Sequence, residues 1–178
     1  MKIIDETNIH NCLIIELNKF SDNRGLFTRV FDKEFCKDKL NFEIKQSSIS
    51  TNNDKGVFRG LHYQKSPFAE NKIISCINGS IYDVIVDIDK SSKTFGNVFQ
   101  MRLSSKDNYA IFIPKSCAHG FLTLEKNSSV YYSMDNIYSK NHATGINWND
   151  KKLNIKFPIT PKIISDKDNL LPIFDKSM

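Results

Sequence analysis

Residues 79–88 read Gly79-Ser80-Ile81-Tyr82-Asp83-Val84-Ile85-Val86-Asp87-Ile88, and their alternation decides the fold class. Tyr82, Val84, Val86 and Ile88 recur at period two on one face, and Ile81, Asp83, Ile85 and Asp87 fall on the other, the pattern of a β-strand. The second face mixes aliphatic and acidic side chains. It is therefore expected to border a polar cavity rather than a wholly dry core.

Working outward, further strands are expected at Lys72–Cys76, Val98–Leu103, Ala110–Ile113, Gly120–Leu124 and Ser129–Met134. Turn chemistry separates them: Asn78-Gly79, the stretch 91–96, the stretch 104–108 and Glu125–Asn127. Only Lys33–Leu40 has helical character of any length. Short strands at roughly ten-residue spacing argue for an all-β sandwich or barrel. Rolled up as a jelly roll, such a ladder leaves a mouth that can hold a small ligand.

The chain of 178 residues fits a single domain, residues 1–178, and is long enough to bury one sizeable core. It is 40% hydrophobic and 25% charged, which suits a globular chain and not a disordered one. No apolar run reaches the ~20 residues of a membrane span, and Asp5 and Glu6 interrupt the start in a way a secretory signal does not. The net charge of +5 is spread along the chain, without the aromatic-interleaved basic patch of a nucleic-acid surface. Cys12, Cys36, Cys76 and Cys117 are widely separated and form no CxxC pair. They are expected to be reduced, which places the chain in the cytoplasm. Neither a membrane nor a nucleic-acid partner is expected.

Three stretches concentrate reactive side chains: Lys55–Gln64 (KGVFRGLHYQ), Ile113–Phe121 (IPKSCAHGF) and Ser129–Tyr138 (SVYYSMDNIY). Two of the four histidines, His10 and His142, lie outside them, which leaves His62 and His119; a metal site of three or four clustered ligands is not expected. The sequence holds no GxSxG elbow, P-loop or GxGxxG. What remains is His, Tyr and carboxylate flanked by Arg and Lys, a set suited to removing a proton beside a carbonyl.

At these same stretches the chain resembles the dTDP-4-dehydrorhamnose 3,5-epimerase family, cupin-like enzymes of deoxysugar biosynthesis. The resemblance is carried by FSDNRGLF (20–27), KGVFRGLHYQ (55–64), NGSIYDVIVDI (78–88), SSKTFG (91–96), IPKSCAHGF (113–121), GINWND (145–150) and the late ISDKD with Pro172. It implies an all-β, cupin-like jelly-roll barrel with a few short helices. It also implies epimerisation at C3, C5 or both of a nucleotide-diphosphate 4-keto sugar, with no cofactor, in a homodimer. By the same resemblance His62 is the general base, Asp168 its orienting carboxylate, Tyr132 the general acid on the other face of the sugar, and Lys72 the cation near the carbonyl oxygen. Arg59, His119 and Lys167 match positions that bind sugar and diphosphate. Arg24 matches one that reaches into the partner's site.

Several positions depart from the family pattern. Arg29 stands in place of a glutamate, Ser48 in place of the asparagine two residues after Gln46, and Ala143 in place of a glutamate. Ser133 replaces a lysine and Asp135 a threonine. Gln46 and the altered positions Arg29, Ser48, Ala143, Ser133 and Asp135 are expected in the ligand shell, where such changes would alter which nucleotide sugar is taken. Two other readings use the same residues: a keto-isomerase that moves the carbonyl, and a carbohydrate-binding jelly roll without catalysis.

Overall fold

Strand β8 (Ser80–Asp87) forms where the alternation places it. It is an inner strand of a five-stranded sheet in the computed structural model, which describes residues 1–175. The order in that sheet is β13 (Ala143–Gly145), β6 (Phe58–Gln64), β11 (Cys117–Thr123), β8 and β9 (Val98–Ser104). Facing it is a six-stranded sheet: β1 (Lys2–Glu6), β2 (Leu13–Glu16), β10 (Tyr109–Ile113), β7 (Lys72–Asn78), β12 (Ser128–Met134) and β5 (Gln46–Asn52). A separate two-stranded hairpin, β3 (Asn18–Asp22) and β4 (Gly25–Arg29), stands apart. All strand pairings within the three sheets are antiparallel. From β5 onward the chain alternates between the two large sheets, except at the β8–β9 pair. This is the jelly-roll path, and it forms two facing sheets rather than one continuous barrel wall.

The turn at Asn78-Gly79 shows how local chemistry serves that path. Gly79 has φ +70, and an added Cβ would sit 2.6 Å from Ser128 Oγ. The chain can therefore leave one sheet at β7 and enter the other at β8 without a side chain in the way.

Three apolar clusters hold the layers. Ile74, Ile81, Ile85, Ile111, Phe121 and Val130 fill the space between the sheets. Phe58, Val84, Val86, Leu122, Leu153 and Phe174 join the outer face of the five-stranded sheet to the C-terminal segment. Ile15, Leu17, Leu40, Phe42 and Phe112 cover the six-stranded sheet with helix α1 (Lys33–Leu40). That helix starts where Asp32 accepts a hydrogen bond from the Phe35 amide and stops at Asn41 in the left-handed region.

The second face of β8 is drier than its acids suggest. Ile81 and Ile85 are fully buried in the inter-sheet core, and Asp87 accepts from Ser92 Oγ and Thr94 Oγ1, both at 2.6 Å, closing the loop beyond β8. Only Asp83 meets the cavity, through His119. All four cysteines are free and buried, and burial pushes the Cys12 and Cys76 thiols up to about 12 and about 11. No helix among the described residues is long and apolar enough to cross a membrane.

Candidate active site

The site lies between the two sheets and is built mainly by neighbouring strands. On one wall, β6 and β11 pair so that His62 and His119 are direct partners. Arg59 and His62 are three residues apart and would point to opposite faces of a regular strand. The pairing shifts by one residue between Phe121↔Arg59 and His119↔His62, a bulge that turns both toward the cavity. Gly60, at φ +129, makes this irregularity available, and its freed amide donates to Asp168 Oδ2 at 3.1 Å.

Asp168 arrives from far along the chain, on the short helix α2 (Asp166–Asn169) capped by Ser165. Phe58 N–H donates to the Ile163 carbonyl, which docks this segment beside β6. The buried Asp168 carboxylate lies 2.7 Å from His62 Nε2. Burial alone would raise its pKa. The bonds from His62, Gly60 and Ser165 outweigh that and hold it below the ordinary carboxylate range. An ionised carboxylate only accepts, so a neutral His62 carries its proton on Nε2 and leaves the Nδ1 lone pair as an acceptor.

The facing wall is β12 and its neighbours. Tyr132 points inward and Tyr131 outward, where its hydroxyl donates to Ser47 Oγ at 3.3 Å. Burial and the nearby Asp83 push the Tyr132 hydroxyl well above the usual tyrosine range, with Arg59 opposing. Lys72, on β7 beside it, donates to Glu70 Oε1 at 2.6 Å, and Gln64 Nε2 donates to the other Glu70 oxygen.

Two connected lobes of about 340 and 400 Å³ share His62, Lys72, Tyr132 and Lys167. The inner lobe adds Ser50, Arg59, His119, Phe121 and Asp168; the outer adds Gln46, Tyr63, Met134, Tyr138 and Ala143 among others. Of the expected site residues, His62, Tyr132, Asp168, Lys72, Gln46, Arg59, His119 and Lys167 therefore meet in one cavity. Ser48 is the register partner of Tyr132 on β5, the adjacent edge strand.

Arg24 and Arg29 are not brought to this cavity within the chain. Arg24 is bound to Asp22 at 2.6 Å on the exposed hairpin, and Arg29 lies 3.3 Å from Asp32. Ser133 and Asp135 are not in the ligand shell either. Ser133 is buried against the Tyr131 hydroxyl, and Asp135 braces the amide and side chain of Asn71.

Three participants do not stand out in the sequence. Asp83 lies 2.8 Å from His119 Nε2, and its place on the mixed face of β8 was the signal. Glu70 sits two residues before Lys72 in a loop with no periodicity. Asn52 accepts from Arg59 Nε at 2.7 Å from a strand too polar to read as one. No group of three or more metal-ligating side chains forms among the described residues.

Fold and site together define a cupin-like jelly roll arranged for acid–base chemistry on a ligand held between its sheets. The family model described as dTDP-4-dehydrorhamnose 3,5-epimerase matches residues 6–176. A protein of that name from Shigella flexneri is 40% identical over 167 residues, covering 92% of this chain and 91% of the relative. The crystal structure of the Bacillus anthracis enzyme, with TDP and PPi bound, superposes with TM-score 0.92 at 40% identity, covering 97% of this chain and 99% of that one. The Legionella pneumophila enzyme, in complex with dTDP-4-keto-L-rhamnose, gives TM-score 0.88 at 32% identity, with 98% of each chain covered. This chain belongs to the dTDP-4-dehydrorhamnose 3,5-epimerase family.

Proposed function

We propose that this chain inverts C3 and C5 of a dTDP-linked 4-keto-6-deoxyhexose. The observation that carries the reading is the placement of His62 and Tyr132 on facing walls of one cavity, with Lys72 beside Tyr132.

A C4 ketone acidifies the hydrogens on C3 and C5, because the carbanion delocalises into an enolate. His62 removes such a proton through Nδ1, while Asp168 fixes its tautomer and stabilises the imidazolium that forms. Lys72 and Arg59 supply positive charge for the enolate oxygen. Inversion needs the proton returned from the opposite face, and Tyr132 is the donor there. A single base could only restore the original configuration. Arg59, His119 and Lys167 line the cavity where sugar and diphosphate would lie, Gln46 and Tyr138 border its outer part, and Ser48 is paired with Tyr132 on the adjacent strand.

Two features support a homodimer working in the cytoplasm. The hairpin that carries Arg24 exposes Phe20, Leu26 and Phe27 at 56%, 66% and 66%, an apolar surface a second copy would cover while placing Arg24 near its partner's cavity. The four unpaired cysteines suit a reducing compartment.

In deuterated water the protein should place deuterium at C3 and C5 of the dTDP-4-keto sugar. His62→Ala should lose exchange by about 10²–10⁴-fold while still binding dTDP. Full exchange by that variant would sink the assignment. Thermal shifts with dTDP, UDP, GDP and CDP ligands identify the nucleotide, and dTDP is expected to raise Tm most.

A further inference from the structure

A single inversion accounts for one histidine–carboxylate pair, and this cavity holds two. His62 Nε2 meets Asp168 at 2.7 Å and His119 Nε2 meets Asp83 at 2.8 Å, and the two histidines are register partners on adjacent strands. The second pair is the deeper one: His119 is 5% exposed and Asp83 1%. Asp83 Oδ2 is also the buried side-chain polar atom that finds no hydrogen-bond partner among the described residues. A pair this enclosed, with an unanswered acceptor, retains a proton strongly, because losing it would leave a bare buried charge.

Inverting two centres creates a need that one pair does not meet. Each inversion leaves His62 one proton richer and Tyr132 one proton poorer. His62 is 44% exposed and can release its proton to solvent at the mouth. Tyr132 faces inward, its ring centroid 6.1 Å from that of His119 at an interplanar angle of 70° and 6.4 Å from that of Phe121. His119 is thus the titratable side chain stacked edge-on against the acid that must be reset.

We propose that His119 and Asp83 form a proton store that recharges Tyr132 between the first and second inversions of one bound sugar. This rests on the two-centre epimerase reading above. Tyr132 gives its hydroxyl proton to carbon and becomes a phenolate. The Nδ1–H bond of His119 then breaks as the O–H bond of Tyr132 reforms, directly or across one water. Asp83 keeps its bond to Nε2 and balances the imidazolium in the loaded state. Cavity water returns a proton to the pair, and His62 has meanwhile released one to solvent, so protons balance and no electrons are exchanged. Burial makes the Tyr132 phenolate an unusually strong base, which favours the transfer. Asp83 is a positioning residue in this scheme, since it acts through His119.

The test compares the two carbons within one reaction. Wild-type protein, Asp83→Asn and, as a second variant should the first fail to fold, His119→Gln are given a dTDP-4-keto-6-deoxy sugar in deuterated water. NMR then follows deuterium at C3 and C5. The expected result is a second-centre to first-centre rate ratio lowered about tenfold or more in either variant, with a singly exchanged sugar accumulating. A ratio within about twofold of wild type, whatever the overall rate, assigns the pair a structural or binding role and overturns the store. Wild-type exchange at one centre only also overturns it, and narrows the proposed function to a single-centre epimerase. No wild-type exchange at either carbon overturns that reading itself.

Discussion

At the residue scale the two aspartates beside histidines behave oppositely. Asp168 is held below its ordinary pKa, so its pairing contributes stability that is present above about pH 3.9, the unfolded carboxylate value, and lost as pH falls through the folded value. Asp83 is raised, mainly by burial, so its favourable contribution is complete below about pH 3.9 and is lost as pH rises through the folded value. Thermal melts across pH should show Asp168→Asn approaching wild-type stability on acidification, and Asp83→Asn gaining on wild type as pH rises. Parallel curves for both variants would contradict these environments. Asp168→Asn should also lower kcat by about 10²–10⁴-fold with a smaller change in KM, because the His62 tautomer is no longer fixed. The sequence pattern alone left His62 an isolated histidine. Its partner lies 106 positions away, a separation no local pattern can bridge, and only the family resemblance pointed to Asp168.

At the element scale, function depends on one irregularity in β6. The Gly60 bulge lets Arg59 and His62 share a face, and the paired backbone of β11 comes so close that a Cβ on Gly60 would lie 2.5 Å from Gly120 Cα. Gly60→Ala should therefore cost about 2–4 kcal/mol and lower Tm by roughly 5–15 °C, measured by calorimetry. A near-native melt would mean the strands separate easily there. The strands that were legible in the sequence, β7 to β12, carry alternating or continuous apolar residues, and α1 was legible to its end residues. Strand β11 starts at Cys117, before the expected Gly120, because Cys117, Ala118 and His119 are buried on both faces and show no alternation. Strand β5, QSSISTN, reads as loop because it is a polar edge strand facing a wet cavity. Strand β6 was hidden by its bulge, since period two fails where the register shifts.

At the scale of the whole molecule, the single chain completes the proposed catalytic cavity but leaves Arg24 outside it. The proposed homodimer would account for both the position of Arg24 and the exposed hairpin. Phe27→Glu should then halve the mass seen by analytical ultracentrifugation, and Arg24→Ala should raise KM about tenfold, or 1.4 kcal/mol. If Arg24 works across the interface, mixing Arg24→Ala and His62→Ala subunits should restore about a quarter of wild-type activity, since one site in each mixed dimer has both residues. No recovery after subunit exchange would place Arg24 elsewhere. The departures at Arg29 and Ala143 divide at this scale too. Ala143 lines the outer lobe, whereas Arg29 sits with Asp32 on the hairpin side.

The opposed pair of His62 and Tyr132 is tested most directly by Tyr132→Phe, with NMR following both deuterium content and configuration at C3 and C5 of the dTDP-4-keto sugar. With the base intact and the opposing acid removed, His62 should still remove a proton and return deuterium from the same side. The expected result is deuterium incorporation with configuration retained, and inversion slowed by about 10²-fold or more. Inversion at the wild-type rate in that variant would contradict the two-wall arrangement.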